Sequence, residues 1–186
     1  MSEIALPSVL NEQLVIRALQ TYHGVNSSTC LKLKACDFKR SLVSGENYCS
    51  DIYQIDVQYN VNGNANNKSF IVKIMIPEFI DIGSNEKIMF SEVLPAMENI
   101  LKSKNIENPK LHGQCWVYEN KKDEIYVLEN LNSLGYSCAD RTKGLDLQQS
   151  RIITQKIAKF HAASMLYVKE VSLIIITKQI YNTKAI

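Results

Sequence analysis

The run from Phe70 to Ile76 constrains the fold most, because it places one lysine in the middle of an apolar, β-branched segment. In a strand, alternate side chains share one face, here Phe70, Val72, Ile74 and Ile76. Lys73 falls on the other face with Ile71 and Met75. A charge in mid-strand costs free energy unless an anion accompanies it. Lys73 therefore meets a carboxylate or a bound phosphate, or it lies on an edge strand and reaches water.

Two further segments before Lys73 have the pattern of strands. Residues 31–35 alternate apolar and basic side chains, and the pattern continues irregularly to about Val43. Residues 53–59 alternate strictly, which predicts a strand with one dry face and one wet face. The dry face comprises Tyr53, Ile55, Val57 and Tyr59. Residues 60–67 consist mainly of turn-forming residues and predict a loop before the Lys73 strand.

The turn between the first two strands, residues 44–50, contains Gly45 and several polar side chains. It has two interpretations. It is an ordinary hairpin turn, or it belongs to a ribbon that curls over a nucleotide. In the second case Lys73 reaches the phosphates from the sheet beneath.

Glu86 is the candidate partner of Lys73. It lies in a predicted helical segment, Ser84–Ser103, and precedes three apolar residues at helical spacing: Met89, Phe90 and Val93. A carboxylate on an apolar stripe needs a cation, and kinases pair a strand lysine with a helix glutamate to hold nucleotide phosphates. Alternatively, Glu86 lies in a solvated first turn, where it favours the positive helix end. Pro95 predicts a kink or a restart of this helix.

Two more strands follow, at Leu111–Tyr118 and Glu124–Leu128, and the second continues into a polar connector at residues 129–135. Five strands with a helix after the third predict an α+β fold. Its layout is that of a protein-kinase-like small lobe, a five-stranded antiparallel sheet plus helix, with its hinge. The backbone groups of such a connector can pair with the edge of an adenine ring.

The two ends of the chain predict helices. The first helix is predicted from Ser8 to Leu19, with Ser8 as its cap. The last begins at Asp146, which has capping-box spacing to Gln149. Its apolar face is predicted to comprise Leu147, Ile153, Ile157, Phe160 and Ser164. His161 is expected to be a core histidine beside this face. After Val168 the helical period is lost, which predicts an edge strand or a poorly ordered end.

Composition excludes several classes. The net charge of +2, without a basic cluster that includes aromatic residues, argues against nucleic-acid binding. The start of the chain has no signal peptide, and no apolar run approaches the roughly 18 residues of a membrane span. The chain has five cysteines, an odd number, and no C-x-x-C motif, which indicates neither a disulfide framework nor a zinc site. A reducing, cytoplasmic setting therefore fits best.

Several short segments occur in a recognisable order between about residues 30 and 166. They are Gly45–Tyr48, Ile71–Lys73, Phe90–Pro95, Val127–Leu131, Asp140–Arg141 with Gly144–Asp146, and Ala158–Ala163. This ordered set resembles the ecdysteroid kinase-like (CHK kinase-like) family, which is similar to choline kinases and aminoglycoside phosphotransferases. The resemblance implies transfer of phosphate from ATP, with Mg²⁺, to a small-molecule hydroxyl such as that of a steroid alcohol.

The resemblance also assigns site residues. Lys73 matches the lysine that contacts the phosphates, and Glu86 matches its helix partner. The nucleotide-covering turn corresponds to Gly45, Asn47 and Ser50, and the adenine-side hinge to Glu129, Asn130 and Leu131. Asn130 replaces the usual aspartate, which should matter little if backbone atoms contact the adenine.

The catalytic loop of the family, His-Gly-Asp, and its metal-binding aspartate motif are not found in these 186 residues. His112-Gly113-Gln114 resembles the tripeptide but precedes the hinge and lacks the acid. No catalytic or metal-binding residue is therefore assigned. We expect a truncated, inactive, ATP-binding part of a kinase, or alternatively a non-enzymatic binding or scaffold module. The predicted divisions are an N-terminal helical segment (1–29), a small lobe with hinge (30–135), the beginning of a large lobe (136–168) and a divergent tail (169–186).

Overall fold

The computed structural model describes residues 6–25, 31–40, 49–79, 85–119, 124–140 and 142–183. The chain divides into two units. The first comprises Met1–Asn85 and Gln114–Tyr136, and the second comprises Glu86–Gly113 and Ser137–Ile186.

The first unit is built on a five-stranded antiparallel sheet with the strand order β1-β2-β3-β5-β4. The strands are β1 (Leu31–Arg40), β2 (Ser50–Val61), β3 (Asn64–Met75), β4 (Cys115–Glu119) and β5 (Glu124–Glu129). The predicted set of five strands is confirmed, although β4 begins four residues later than expected. The strand that carries Lys73 is the central one.

One face of this sheet forms a hydrophobic core with helix α1 (Glu12–His23). The alternation of β2 and β3 dictates which side chains enter the core. Those from the two strands are Tyr53, Ile55, Val57, Tyr59, Phe70, Val72 and Ile74, and those from the helix are Leu14, Val15, Ala18 and Leu19. The predicted dry face of residues 53–59 is therefore confirmed.

Helix α1 begins and ends later than the predicted Ser8–Leu19. Its cap is Asn11, whose Oδ1 accepts the N–H of Leu14 at 3.1 Å. Asparagine is as strong an N-cap as serine, so residue type alone did not distinguish the two positions. Gly24 ends the helix at φ +64°.

The predicted loop at residues 60–67 is instead a tight hairpin. Val61 pairs with Asn64, so Asn62 and Gly63 alone form the turn. Both have positive φ, 50° and 83°, the combination found in type I′ turns. The run of asparagines hid the two-residue turn, because strand pairing extended through residues that individually favour loops.

In the second unit, residues 86–88 are helical, a π turn follows at Met89–Val93, and helix α2 runs over Leu94–Ser103. Pro95 has no N–H to offer the carbonyl four residues earlier. The N–H of Leu94 bonds to the carbonyl of Met89, five residues earlier. The predicted restart at Pro95 is thus confirmed in the form of a π turn.

Helix α3 (Leu147–Thr183) is the longest element of the second unit. The predicted capping box is present: the Gln149 N–H donates to Asp146 Oδ1 at 2.8 Å, and the Asp146 N–H donates to Gln149 Oε1 at 3.0 Å. None of the helices described has an apolar stretch long enough to cross a membrane.

The predicted strand or poorly ordered end after Val168 is wrong, because α3 continues to Thr183. No glycine or proline occurs from Leu147 to Thr183. Extending a helix that has already formed costs only about half a kcal/mol per β-branched residue relative to alanine. The β-branched content of residues 171–177 was therefore a weak guide.

The expected core position of His161 is also wrong, since its side chain is exposed. Ala163 is the buried residue among the α3 side chains described, and it packs with Met97 and Leu101 of α2. A small residue allows close approach of two helices, so the contact centres on Ala163 rather than on the larger apolar residues. Side chains predicted to form the packed face are exposed: Leu147, Ile153, Ile157 and Phe160.

Candidate functional site

Lys73 lies in the interior of the sheet. β3 pairs with β2 on one side and β5 on the other, so the edge-strand interpretation is wrong. Its neighbours along the strand, Val72 and Ile74, enter the core, which places Lys73 on the opposite face. The side chain is half-buried. An ammonium in a partly dehydrated position favours anionic ligands, because water competes less for its charge.

Two residues of β5 that the sequence analysis missed share this face with Lys73. Tyr126 is directly opposite Lys73, and the Lys73 Nζ lies 5.8 Å from the centre of its ring. The Tyr126 hydroxyl donates to the carboxylate of Glu124. Tyr126 is fully buried and Glu124 is 7% exposed. The alternation of β5 puts Glu124 and Tyr126 on one face, but only the register of β3 against β5 shows that this face carries Lys73.

The predicted hinge begins where β5 ends. The Glu129 N–H donates to the Gln114 carbonyl at 2.8 Å, and the Glu129 carboxylate accepts the Gln114 N–H at 3.1 Å. Leu131 starts a 3₁₀ turn, Leu131–Leu134, and its side chain is partly exposed. The register places Glu129 opposite Phe70, three residues along β3 from Lys73.

The side chain of Asn130 has contacts that the sequence analysis did not include. It is 3% exposed, and its Nδ2 donates to the Ser69 Oγ at 2.8 Å. Its Oδ1 accepts the N–H of Asn132 at 3.1 Å. Asn130 therefore connects the hinge to β3 and at the same time caps the 3₁₀ turn.

Ser69 extends this connection across the sheet. Its hydroxyl donates to Asp56 Oδ1 at 2.7 Å, and the same carboxylate accepts hydrogen bonds from Gln54 and Lys39. The hydrogen bond from Ser69, supported by those from Gln54 and Lys39, lowers the pKa of Asp56 despite its partial burial. A cavity of about 630 Å³ opens at this point, and Asp56, Ser69 and Ser133 are among its lining residues.

The other predicted site residues are Gly45, Asn47, Ser50 and Glu86. Ser50 is 6% exposed and pairs with Met75 at the start of β2. Gly45 and Asn47 are outside the described residues. Glu86 is half-buried and belongs to the second unit, whereas Lys73 belongs to the first. The pairing of Glu86 with Lys73 stays a prediction.

The tripeptide His112-Gly113-Gln114 is divided between the two units, with only Gln114 in the first. His112 belongs to the second unit, where its Nε2 lies 3.6 Å from Glu98 Oε1. Within the part of the chain that the structure describes, no three His, Cys, Asp or Glu side chains lie close enough together to hold a metal ion.

The five-stranded antiparallel sheet, with helices and a lysine in its central strand, is an α+β fold of the kind found in a kinase-like small lobe. The model of the ecdysteroid kinase-like family matches residues 44–185. The chain belongs to this family. The match includes residues 169–185, which lie beyond the segments that carry the resemblance. Neither the curated proteins nor the solved structures gave a match.

Proposed function

We propose that this chain binds ATP on the sheet face that carries Lys73, as the nucleotide-binding part of a kinase for small-molecule hydroxyls. The observation that carries the proposal is the half-buried ammonium of Lys73 in the central strand. Kinases use a lysine at this place in the sheet to hold phosphates. Membership of a kinase-like family supports the same assignment.

The spacing of the site also suits ATP. Lys73 and the start of the hinge are three residues apart along paired strands, about 10 Å at 3.3 Å per residue. A ligand with a base at one end and phosphates at the other fits such a span. Lys73 would hold the phosphates, and backbone groups of Glu129–Leu131 would contact the adenine edge. Bound ATP would supply the phosphoryl group for transfer.

The finer parts of the proposal rest on the residues of the family pattern. A steroid alcohol is the acceptor implied by the family. We also propose that these 186 residues bind ATP without transferring phosphate, since they contain no His-Gly-Asp. A reducing, cytoplasmic setting is part of the proposal, because Cys36, Cys49 and Cys138 are free thiols.

Isothermal titration with ATP, in the presence of magnesium, tests the binding. We expect saturable heat with the wild-type chain and a loss of roughly tenfold or more in affinity for Lys73→Met, because a charge-assisted contact is removed. Lys34→Met is the matched control, since it removes the same charge from an exposed position on β1. It should bind ATP as the wild type does.

Three results would count against the proposal. A folded wild-type chain that shows no heat at millimolar ATP would favour the non-enzymatic binding or scaffold module. Equal affinities of Lys73→Met and Lys34→Met for ATP would show that Lys73 does not contribute to nucleotide binding. Production of ADP with a steroid alcohol as acceptor would contradict the proposed lack of phosphate transfer.

A further inference from the structure

A polar chain runs from the hinge across three strands of the sheet. It begins at Asn130, passes through Ser69 on β3 to Asp56 on β2, and ends at Lys39 on β1. Each link is between 2.7 and 3.0 Å. We call these four residues the hinge relay.

The relay has a direction, which the carboxylate of Asp56 imposes. An ionised carboxylate only accepts hydrogen bonds, so the Ser69 hydroxyl donates its single proton to the hydrogen bond with Asp56. The Ser69 oxygen can then only accept from the next residue. Position 130 must therefore supply a donor, and the amide of Asn130 does so through Nδ2.

The side chain at position 130 must also provide a hydrogen-bond acceptor. Its Oδ1 accepts the Asn132 N–H, and its backbone carbonyl accepts the Ser133 hydroxyl at 2.7 Å and the Ser133 N–H at 3.2 Å. An ionised aspartate offers the acceptor but not the donor. An asparagine is the short side chain that meets both requirements.

We propose that Asn130 is a positioning residue for the nucleotide-binding hinge, and that it acts as the hydrogen-bond donor required by the Ser69–Asp56 pair. This inference rests on the proposed function for its consequence in nucleotide binding. The effect on the hinge itself is independent of any ligand.

The charges around position 130 decide how an aspartate there would behave. Lys39 Nζ lies 2.9 Å from Asp37 and 3.0 Å from Asp56, so two carboxylates share one ammonium. Glu129 is adjacent in sequence, and Lys73 lies four residues from Ser69 along β3. Through the Ser69 hydroxyl, position 130 is connected to the Asp56 carboxylate. A carboxyl at position 130, buried and one hydroxyl away from it, should keep its proton to a higher pH than a free aspartate.

The central experiment follows amide hydrogen exchange of Ser133 and Gly135 without nucleotide, each compared with the wild type at the same pH. In Asn130→Asp at pH 8 the ionised carboxylate cannot donate to Ser69. We expect roughly tenfold faster exchange, as for the loss of one buried hydrogen bond. Near pH 5 the protonated carboxyl can donate, and protection should return. Asn130→Ala should exchange fast at both pH values.

A swap variant tests the direction of the relay. In Asn130→Asp with Asp56→Asn, the amide at position 56 can donate to Ser69, and the Ser69 hydroxyl can then donate to the carboxylate at position 130. We expect wild-type protection at pH 8. If Asn130→Asp alone does not fold, the swap variant decides: a folded, protected hinge supports the relay, and an unprotected one overturns it.

Titration with ATP and with adenosine tests whether the hinge relay affects nucleotide binding. The roughly tenfold loss expected for Asn130→Asp at pH 8 should be seen with both ligands and should be reversed in the swap variant. A loss with ATP alone would indicate repulsion of the phosphates and would overturn the positioning role.

Hydrogen exchange separates failure of this inference from failure of the proposed function. A wild-type chain that does not bind ATP would refute the function, while the exchange data would still decide the relay. The relay is refuted if Asn130→Asp keeps wild-type protection at pH 8. It is also refuted if Asn130→Asp and Asn130→Ala are equally unprotected at both pH values.

Discussion

A lysine in the central strand of a sheet is tolerated only where its surroundings favour the charge. At Lys73 one such feature is the face of the Tyr126 ring, since cations are attracted to the electron-rich face of an aromatic ring. The hydroxyl of the same tyrosine hydrogen-bonds the buried Glu124 carboxylate. Tyr126 therefore stabilises a cation with its ring and an anion with its hydroxyl.

We predict that Tyr126→Phe destabilises the first unit. The ring remains, but Glu124 loses a hydrogen-bond donor while it is 7% exposed. We expect a loss of about 1–3 kcal/mol in the free energy of unfolding. Fluorescence of Trp116, the single tryptophan, reports on this unit during urea unfolding, because it is buried in the same core.

Tyr136→Phe is the matched control, since it removes the same hydroxyl group from a residue that is 65% exposed. Its urea midpoint should match that of the wild type. An unchanged midpoint for Tyr126→Phe as well would show that the Glu124 carboxylate does not depend on this hydroxyl.

Among the elements, the β2–β3 hairpin fixes the register on which the site depends. Its two-residue turn sets which residues of β3 lie opposite β2, and a shift by one would move Lys73 to the core face. Gly63 has φ +83° and no atom within 4 Å of the place where a Cβ would be added. The constraint at Gly63 is therefore one of backbone conformation, with no steric contact.

For this element we predict that Gly63→Ala destabilises the first unit by about 1–2 kcal/mol, the cost of a side chain in the left-handed region. Asn62→Gly is the companion variant, because glycine is accepted at both central positions of a type I′ turn. It should unfold close to the wild type. The urea midpoint followed by Trp116 fluorescence measures both. Equal midpoints for Gly63→Ala and Asn62→Gly would argue against the left-handed turn.

In the molecule as a whole, helix α3 presents many apolar side chains to solvent. Exposed fractions are 55% for Ile152, 50% for Ile157 and 76% for Met165. Ile157 belongs to the apolar face that the sequence predicts for this helix, and it is exposed rather than packed. Exposed apolar side chains in this number on one helix promote association.

We therefore predict that the purified chain binds a hydrophobic dye and associates as its concentration rises. Sedimentation velocity over a range of concentrations measures the association. Ile157→Gln with Met165→Gln should reduce both effects, because apolar surface is removed from the exposed side of α3. Gln148→Ser, an exposed polar change on the same helix, serves as the control. A monomer at all concentrations without dye binding would contradict the prediction.

Features that depend on neighbouring residues could be predicted from the sequence. Strand alternation placed Tyr53, Ile55, Val57 and Tyr59 in the core and Lys73 on the opposite face. The capping box at Asp146 and the break at Pro95 were also predictable. Each depends on residues within a few positions of one another, so the pattern contains the physical cause.

The strands beside Lys73 and the side chains bonded to the hinge could be identified only from the folded chain. Tyr126 meets Lys73 through strand register. Asn130 meets Ser69 across 61 residues of sequence, and Ser69 meets Asp56 across 13. A residue's type limits what it can donate or accept, but the fold chooses the partner. For this reason the lysine could be found from the sequence, and the relay that positions the hinge could not.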